Sequence, residues 1–428
     1  MERHLIKYSG LELITEEDQS DRYINLGLFV RCGTAFENSR CYGITNLCSR
    51  IIIRRLNAAN GGTLLTELRT VGADFDVRVD CDLTAFLVSV KPHDFCKAVD
   101  ILFSIFEDFP FTERDVTAEK AIAKMQAQLH ERSFEDEANA SFFGCNVYKL
   151  SSVGDQSTIL KLKKADIEAW KNNYFISNNS CIVMTGCYSR DDFKYINAKG
   201  QEIIRKKKTV NTFDVPLPEE QYFRKLGSDK IVQTNSEICN VSIKFDLDLT
   251  ENPTVYCGML CAYLGLPYTG KLSVCLKEKY AYTDSLSVKI IMHQGFACLD
   301  ISYKTLQACL ADSLRKVTEV LYSVKQKADE AAMVSVMEYF KDDMLYKGLC
   351  SLERCLALGK HGFILCTDRS LIPEDEFQID MARVFKRVVR EVLSGDSMVI
   401  TAECNINRNS EYLDIMEAMA QLRVRLML

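Results

Sequence analysis

The chain has 428 residues, 47% of them apolar and 26% charged, which is too long for one compact core and implies two globular domains or more. With 53 basic against 59 acidic residues the formal net charge is −6, and no stretch gathers enough Lys and Arg to follow a phosphate backbone, which argues against nucleic acid as a partner. The longest apolar runs, such as Leu26–Val30 and Cys181–Gly186, are strand-sized and far short of the roughly 20 residues of a membrane span, so membrane association is expected only through partners.

Period-2 alternation predicts strands at Leu11–Thr15 and Tyr23–Arg31, read as one pair, and at Phe75–Cys81 and Ala85–Val90, read as a second. Between them, Gly43–Ala58 places Ile44, Leu47, Cys48, Ile51, Ile52 and Leu56 on one helical stripe, and Gly61 and Gly62 supply a left-handed stop. Helices are expected over Thr63–Val71, Phe95–Phe106 and Thr112–Leu129, the last opened by Thr112 with Asp115 three residues on, a variant of the capping box. A helix at Ala165–Tyr174 then precedes a buried strand at Ser180–Gly186.

The same order returns in the second half. Strand Ile238–Leu247 precedes helix Thr254–Leu264, and strands Ser285–Met292 and Ala297–Tyr303 pair. Helices are expected at Leu306–Lys325, Ala328–Leu345 and Phe377–Leu393 before a closing strand Ser397–Ala402. The stretches ADIEAWKNNYFISNNSCIVMTG and IDMARVFKRVVREVLSGDSMVITA are one helix-then-strand unit written twice. Between the halves, 206–220 is polar, carries Pro216 and Pro218, and has no period. The fold class is therefore α+β, with two homologous domains at 1–205 and 221–428. Each is a mostly antiparallel sheet with helices packed on one face, and 206–220 is the linker.

The eighteen cysteines are scattered through expected helices and strands with no C-x-x-C pair, which points to reduced, buried thiols in a reducing compartment. The start, Met1-Glu2-Arg3-His4, followed by Glu12, Glu16, Glu17, Asp18 and Asp21, has the features of neither a signal peptide nor an acid-poor transit helix. His4, His93, His130, His293 and His361 stand apart from one another, none with a second ligand at metal-binding spacing. Gly61-Gly62 lacks the setting of a phosphate loop, and the acidic run Glu131, Glu135, Asp136 and Glu137 reads as a solvated helix face.

The succession LGLFVRCGTAFEN, YGITNLCSR and GGTLLTELRTVGADFDVRVDCDLTAFLVSVKPHDFCKAVDILFSIFEDFPFTERDVTAEK resembles the pitrilysin/insulinase-type zinc peptidases in their mitochondrial-processing-peptidase branch, over nearly the whole chain. In that family a glycine opens a helix carrying His-x-x-Glu-His, and a Glu on a later helix completes the zinc site. Laid on this sequence, Gly43 matches the glycine, Asn46 and Arg50 fall on the two histidines, Ser49 on the catalytic Glu, and Ala127 of AKMQA on the third ligand. An amide, a guanidinium, a hydroxyl and a methyl group neither ligate zinc well nor take a proton from its water. The resemblance thus implies a non-catalytic member, with no metal and no cofactor. Tyr282 matches a tyrosine that active members present to substrate, and without zinc it reads as structural. The stretch AYLGLPYTGKLSVCLKEKY keeps only Gly265 and Gly270 where the processing-peptidase alpha subunit has a long glycine-rich loop, so the likeness falls toward the core proteins of ubiquinol–cytochrome c reductase, respiratory complex III, and the fully stripped ligand positions, with basic Arg50 at the second histidine, toward core protein 2. That implies a matrix-side scaffold on the mitochondrial inner membrane, paired with a second core protein or processing-peptidase-beta-like subunit and touching cytochrome b, cytochrome c1 and other subunits. The alternative is an alpha subunit that binds presequences for a zinc-bearing partner.

Overall fold

The computed structural model describes residues 2–8, 10–59, 61–70, 74–130, 133–144, 147–206, 227–248, 254–294, 296–327, 329, 332–339, 351–364, 381–405 and 409–428. Apart from its first residue, the linker expected at 206–220 lies outside the described residues, as do Val71, Glu131, Ala328, 330–331, 340–345 and 377–380 of the expected helices.

The strands, in chain order, are β1 (Glu2–Tyr8), β2 (Leu11–Glu17), β3 (Ile24–Val30), β4 (Asp74–Val79), β5 (Thr84–Val90), β6 (Ser180–Gly186), β7 (Lys230–Gln233), β8 (Ile238–Leu247), β9 (Leu286–His293), β10 (Phe296–Leu306) and β11 (Met398–Cys404). They form a six-stranded sheet ordered β1-β2-β6-β3-β5-β4 and a five-stranded sheet ordered β7-β11-β8-β10-β9. Without β1, the two sheets have one topology. β2 and β6 are parallel, as are β7 and β11, and every other neighbouring pair is antiparallel. The duplication expected from the sequence is thus present strand for strand. One pairing differs: β2 and β3 are not hydrogen-bonded to each other, because β6, more than 150 residues away, enters between them. Alternation reports that a strand has a buried face, and it carries no information about the neighbour.

The helices are α1 (Ile44–Ala59), α2 (Leu64–Thr70), α3 (Phe95–Ser104), α4 (Glu113–His130), α5 (Phe134–Phe143), α6 (Gln156–Lys161), α7 (Lys164–Tyr174), α8 (Arg190–Lys206), α9 (Thr254–Gly265), α10 (Lys271–Ser273), α11 (Leu310–Gln326), α12 (332–339), α13 (Ser351–Leu358), α14 (Met381–Val392) and α15 (Asn409–Met427). The start and stop signals act as their chemistry requires. Thr112 Oγ1 accepts from Asp115 N at 3.1 Å while Asp115 Oδ2 accepts from Thr112 N at 3.3 Å, closing the box at the head of α4. At the end of α1, Gly62 N donates to Asn57 O and Gly61 N to Ala58 O, with both glycines at positive φ, which is the Schellman arrangement.

Two compact units result, and they do not follow the chain strictly. The first comprises Met1–Glu131, Leu150–Gln221 and Leu345–Leu371; the second comprises Arg132–Lys149, Tyr222–Met344 and Ile372–Leu428. Each half therefore supplies one helix to the other unit's sheet, α13 to the first and α5 to the second. In the first unit, Leu26, Leu28, Val30, Phe86, Val88, Ile182 and Met184 face α1, α3 and α7 in the main core. The alternate residues Phe29, Ala85, Leu87, Cys181 and Val183 pack on Cys355, Leu358 and Phe363, in and just after α13. The sheet is thus covered on both faces, which is why every residue of β3 is buried. In the second unit the corresponding face, under α5, is polar: Lys244 and Asp300 form a buried ion pair at 3.1 Å, and Ser242 donates to Asp300 at 2.8 Å. Phe142, Phe143, Tyr148, His293 and Phe296 hold α5 through edge and stacked ring contacts.

Candidate functional site

The site lies in the first unit, where α1 and α4 pack together. The N-terminus of α1 is set by Glu37, a carboxylate only 5% exposed, which accepts from Gly43 N at 2.7 Å and Thr45 N at 2.8 Å. These are donors that the helix itself cannot satisfy. Burial pushes this carboxyl up to about 7 despite both hydrogen bonds. Gly43, at φ +91, allows Gly154 to pass so close that a Cβ on Gly154 would stand 2.3 Å from the Gly43 Cα.

The structure brings all four sequence-derived positions to this helix pair, Asn46, Ser49 and Arg50 on α1 and Ala127 on α4. Ser49 is buried and donates to its own helix at Asn46 O, 2.8 Å away, and Ala127 is buried in the core. Arg50 reaches across to α4, where its Nε donates to Glu119 Oε2 at 2.8 Å and its Nη1 stands 3.5 Å from Gln126 Oε1. Arg54 donates from Nε to the other oxygen of the same carboxylate at 2.6 Å, and Arg55 faces Asp115 at 3.6 Å. Glu119 is 5% exposed, so this is a nearly buried carboxylate shared by two guanidiniums. Sequence reasoning located Arg50 and missed Glu119, Arg54 and Gln126, because a pair separated by 65 to 76 residues has no local spacing to betray it.

A cavity of about 580 Å³ opens over this pair, lined by the polar residues Asn46, Ser49, Arg50, Arg54, Asn57, Glu119, Gln126, His130 and Ser152 and by the apolar residues Ile53, Leu65, Val77, Val79 and Val153. Tyr282 is in the second unit, its ring stacked on Tyr280 with centroids 5.4 Å apart. The stretch 262–280 is largely helical, with one exposed turn at Tyr268, which takes a positive φ of 63°. The fifteen cysteines that are described are all free thiols. Among the described residues no helix is long and apolar enough to cross a membrane.

Residues 12–155, which contain the whole of this helix pair, match the family model described as Insulinase (Peptidase family M16). The curated relatives are more particular. Cytochrome b-c1 complex subunit 1, mitochondrial, of Caenorhabditis elegans is 22% identical over 171 residues, 39% of this chain and 36% of that protein. Its counterpart of the same name in Saccharomyces cerevisiae is 23% identical over 194 residues, 43% of this chain and 40% of that one. The mitochondrial-processing peptidase subunit beta of Blastocladiella emersonii is 20% identical over 182 residues, 42% and 39% of the two chains. The match therefore spans about two fifths of the relatives' length. In fold the likeness is nearly complete. A protease from Helicobacter pylori superposes with a TM-score of 0.79 at 13% identity, covering 94% of this chain and 99% of that one. A peptidase M16 inactive domain from Pseudomonas fluorescens gives 0.76 at 16% identity, covering 94% and 98%, and a chain of Complex III2 from Candida albicans gives 0.75 at 14%, covering 98% and 99%.

Proposed function

We propose that the chain is a non-catalytic core subunit of a ubiquinol–cytochrome c reductase, acting as a scaffold on the matrix side of the mitochondrial inner membrane and paired with a second protein of the same fold. The observation that carries the reading is the α1/α4 frame. Where the family resemblance expects two imidazoles and two carboxylates, the chain has Asn46, Arg50, Ser49 and Ala127, and the Arg50 guanidinium is already paired with Glu119. A fixed positive charge beside a methyl group and a neutral amide does not suit zinc, and Ser49, committed to Asn46 O, is no general base. The domain boundaries follow the two sheets, with the segments 132–149 and 345–371 exchanged between units.

A scaffold also needs surface for its neighbours. Leu413, Met416, Val424 and Met427 are exposed along α15, as is Leu428 just after it, while Ile415, Ala418, Met419, Leu422 and Leu426 fill the core from its opposite side. A helix that is apolar on both sides is one that packs on both sides. The relatives found by sequence carry the names subunit 1 and beta, so the preference for core protein 2 rests on the residues at the four positions and on the glycine-poor stretch 262–280. The second reading, a presequence-binding alpha subunit, is favoured by the beta-subunit relatives alone. Purification of the tagged chain in mild detergent separates the two. Haem-bearing cytochromes in the eluate support the core subunit, whereas a soluble zinc-bearing partner without haem overturns it in favour of the alternative.

A further inference from the structure

We infer that the cavity over α1 and α4 is a carboxylate-binding site, taking a monoanionic carboxylate attached to an apolar body. This rests on the reading above that no zinc occupies the frame. Glu119 holds Arg50 and Arg54 through their Nε atoms, at 2.8 and 2.6 Å, and so uses one donor of the five on each guanidinium. Arg50 Nη1 has only the long 3.5 Å approach of Gln126, and among the described residues nothing accepts from Arg50 Nη2 or from either Nη of Arg54. Both side chains line the cavity and keep 28% and 38% of their surface accessible. The nearly buried Glu119 carboxylate that holds both Nε atoms fixes the orientation of both planes before any ligand arrives, which lowers the ordering cost of a bidentate contact.

Charge and shape narrow the ligand. Among the described residues the charged groups lining the cavity are Arg50, Arg54 and Glu119, which together carry one net positive charge. That suits a single carboxylate. A phosphate dianion would bring a second negative charge toward Glu119, whose oxygens lie 2.8 and 2.6 Å from the two Nε atoms. Ile53, Leu65, Val77, Val79 and Val153 supply apolar lining to the same cavity, so the remainder of the ligand is apolar. A peptide C-terminus and an acidic side chain both present this chemistry.

The test uses the full chain and three fluorescein-labelled probes in anisotropy titrations: Val-Leu-Val-Leu with a free C-terminal carboxylate, the same peptide amidated, and an amidated peptide with Asp in place of the last Leu. Binding of the free acid at least tenfold tighter than the amide establishes the site, and the Asp probe tells whether a side-chain carboxylate serves as well as a terminus. Inorganic phosphate is expected not to compete at millimolar concentration. Arg54→Gln should remove the acid-over-amide preference. Ser152→Asp, which places a negative charge on the cavity wall without touching Glu119, should weaken the acid at least tenfold, and it serves where Arg54→Gln fails to fold. Equal binding of acid and amide, absence of binding up to millimolar probe, or an undiminished preference in Ser152→Asp overturns the proposal. Each titration is repeated with a chelator. A preference abolished by chelation means a metal holds the carboxylate and the zinc-free reading falls, whereas equal binding of acid and amide with or without chelator sinks this inference alone.

Discussion

The carboxyl of Glu37 makes the first unit's stability depend on pH in a direction opposite to that of most acidic residues. Burial lifts its titration from 4.5 to about 7, because the cost of desolvating the anion exceeds what Gly43 N and Thr45 N return. Below pH 4.5 the group is protonated folded or unfolded and contributes no slope. Between 4.5 and 7 the folded state binds more proton than the unfolded one, so stability falls as pH rises, and above 7 the loss is complete. One proton of difference between the two states is worth about 1.36 kcal/mol for every pH unit over which it persists, so the fall from pH 5 to pH 8 amounts to about 2.5 kcal/mol. The chain has one tryptophan, Trp170, packed in the first unit's core, so its fluorescence during urea unfolding follows that unit alone. Glu37→Gln offers one acceptor for two N–H donors and is weaker by a roughly constant amount, but it cannot titrate. The stability of the natural chain minus that of Glu37→Gln should therefore drop by about 2.5 kcal/mol between pH 5 and pH 8. A flat difference would show that the helix N-terminus fully offsets burial, and a rising one would mean that Glu37 ionises more easily folded than unfolded; either result refutes the reasoning.

Arg354 of α13 meets Glu16 of β2 through two hydrogen bonds of 2.7 and 2.9 Å, with the carboxylate 5% exposed, so Arg354→Ala should cost the first unit about 3–5 kcal/mol by Trp170 fluorescence. Adding Glu16→Gln should recover part of that loss, since it removes the stranded charge. Ile51→Ala or Ile52→Ala, both fully buried, should cost about 2–5 kcal/mol in the same assay and, on the proposed scaffold reading, deplete the assembled complex. Asn46→Ala and Ser49→Ala should cost less than about 1 kcal/mol and leave assembly intact, since the Ser49 hydroxyl serves only its own helix. Elemental analysis of the dialysed chain should find well below one zinc per chain; a full equivalent, lost on substituting Asn46, would overturn the assignment of those positions.

Much of the fold was legible because its signals are local. The ten residues of β8, with apolar side chains alternating on one face, were read with their observed ends, and the caps of α1 and α4 could be named from Gly61, Gly62, Thr112 and Asp115. What escaped was non-local or symmetric. The loan of α5 and α13 leaves no mark in either helix, since a buried face looks the same whichever sheet it covers. The last helix, α15, was missed because residues on its exposed side are apolar as well as those on its buried side, and the helical period disappears. In the site, the α1 positions were visible through the family's spacing, whereas the carboxylate that engages Arg50 and Arg54 belongs to a helix more than sixty residues away.

The duplication sharpens what the α1/α4 pair has to explain. α9 follows β8 in the second sheet as α1 follows β3 in the first, yet its sequence, TVYCGMLCAYLG, contains no Asp, Glu, Lys or Arg, and its Tyr256, Cys257, Met259, Leu260, Tyr263 and Leu264 enter the core. The fold can therefore be built with an uncharged helix at this place. α1 instead carries Arg50, Arg54 and Arg55, answered on α4 by two carboxylates, Asp115 and Glu119. Pairs of this kind return little net stability once desolvation is counted, and an apolar seam of equal volume would serve packing at least as well. Three guanidiniums on two carboxylates also leave positive charge in excess beside an open cavity. Packing accounts for Ile51 and Ile52; for the arginines the proposed carboxylate site supplies a reason that packing does not.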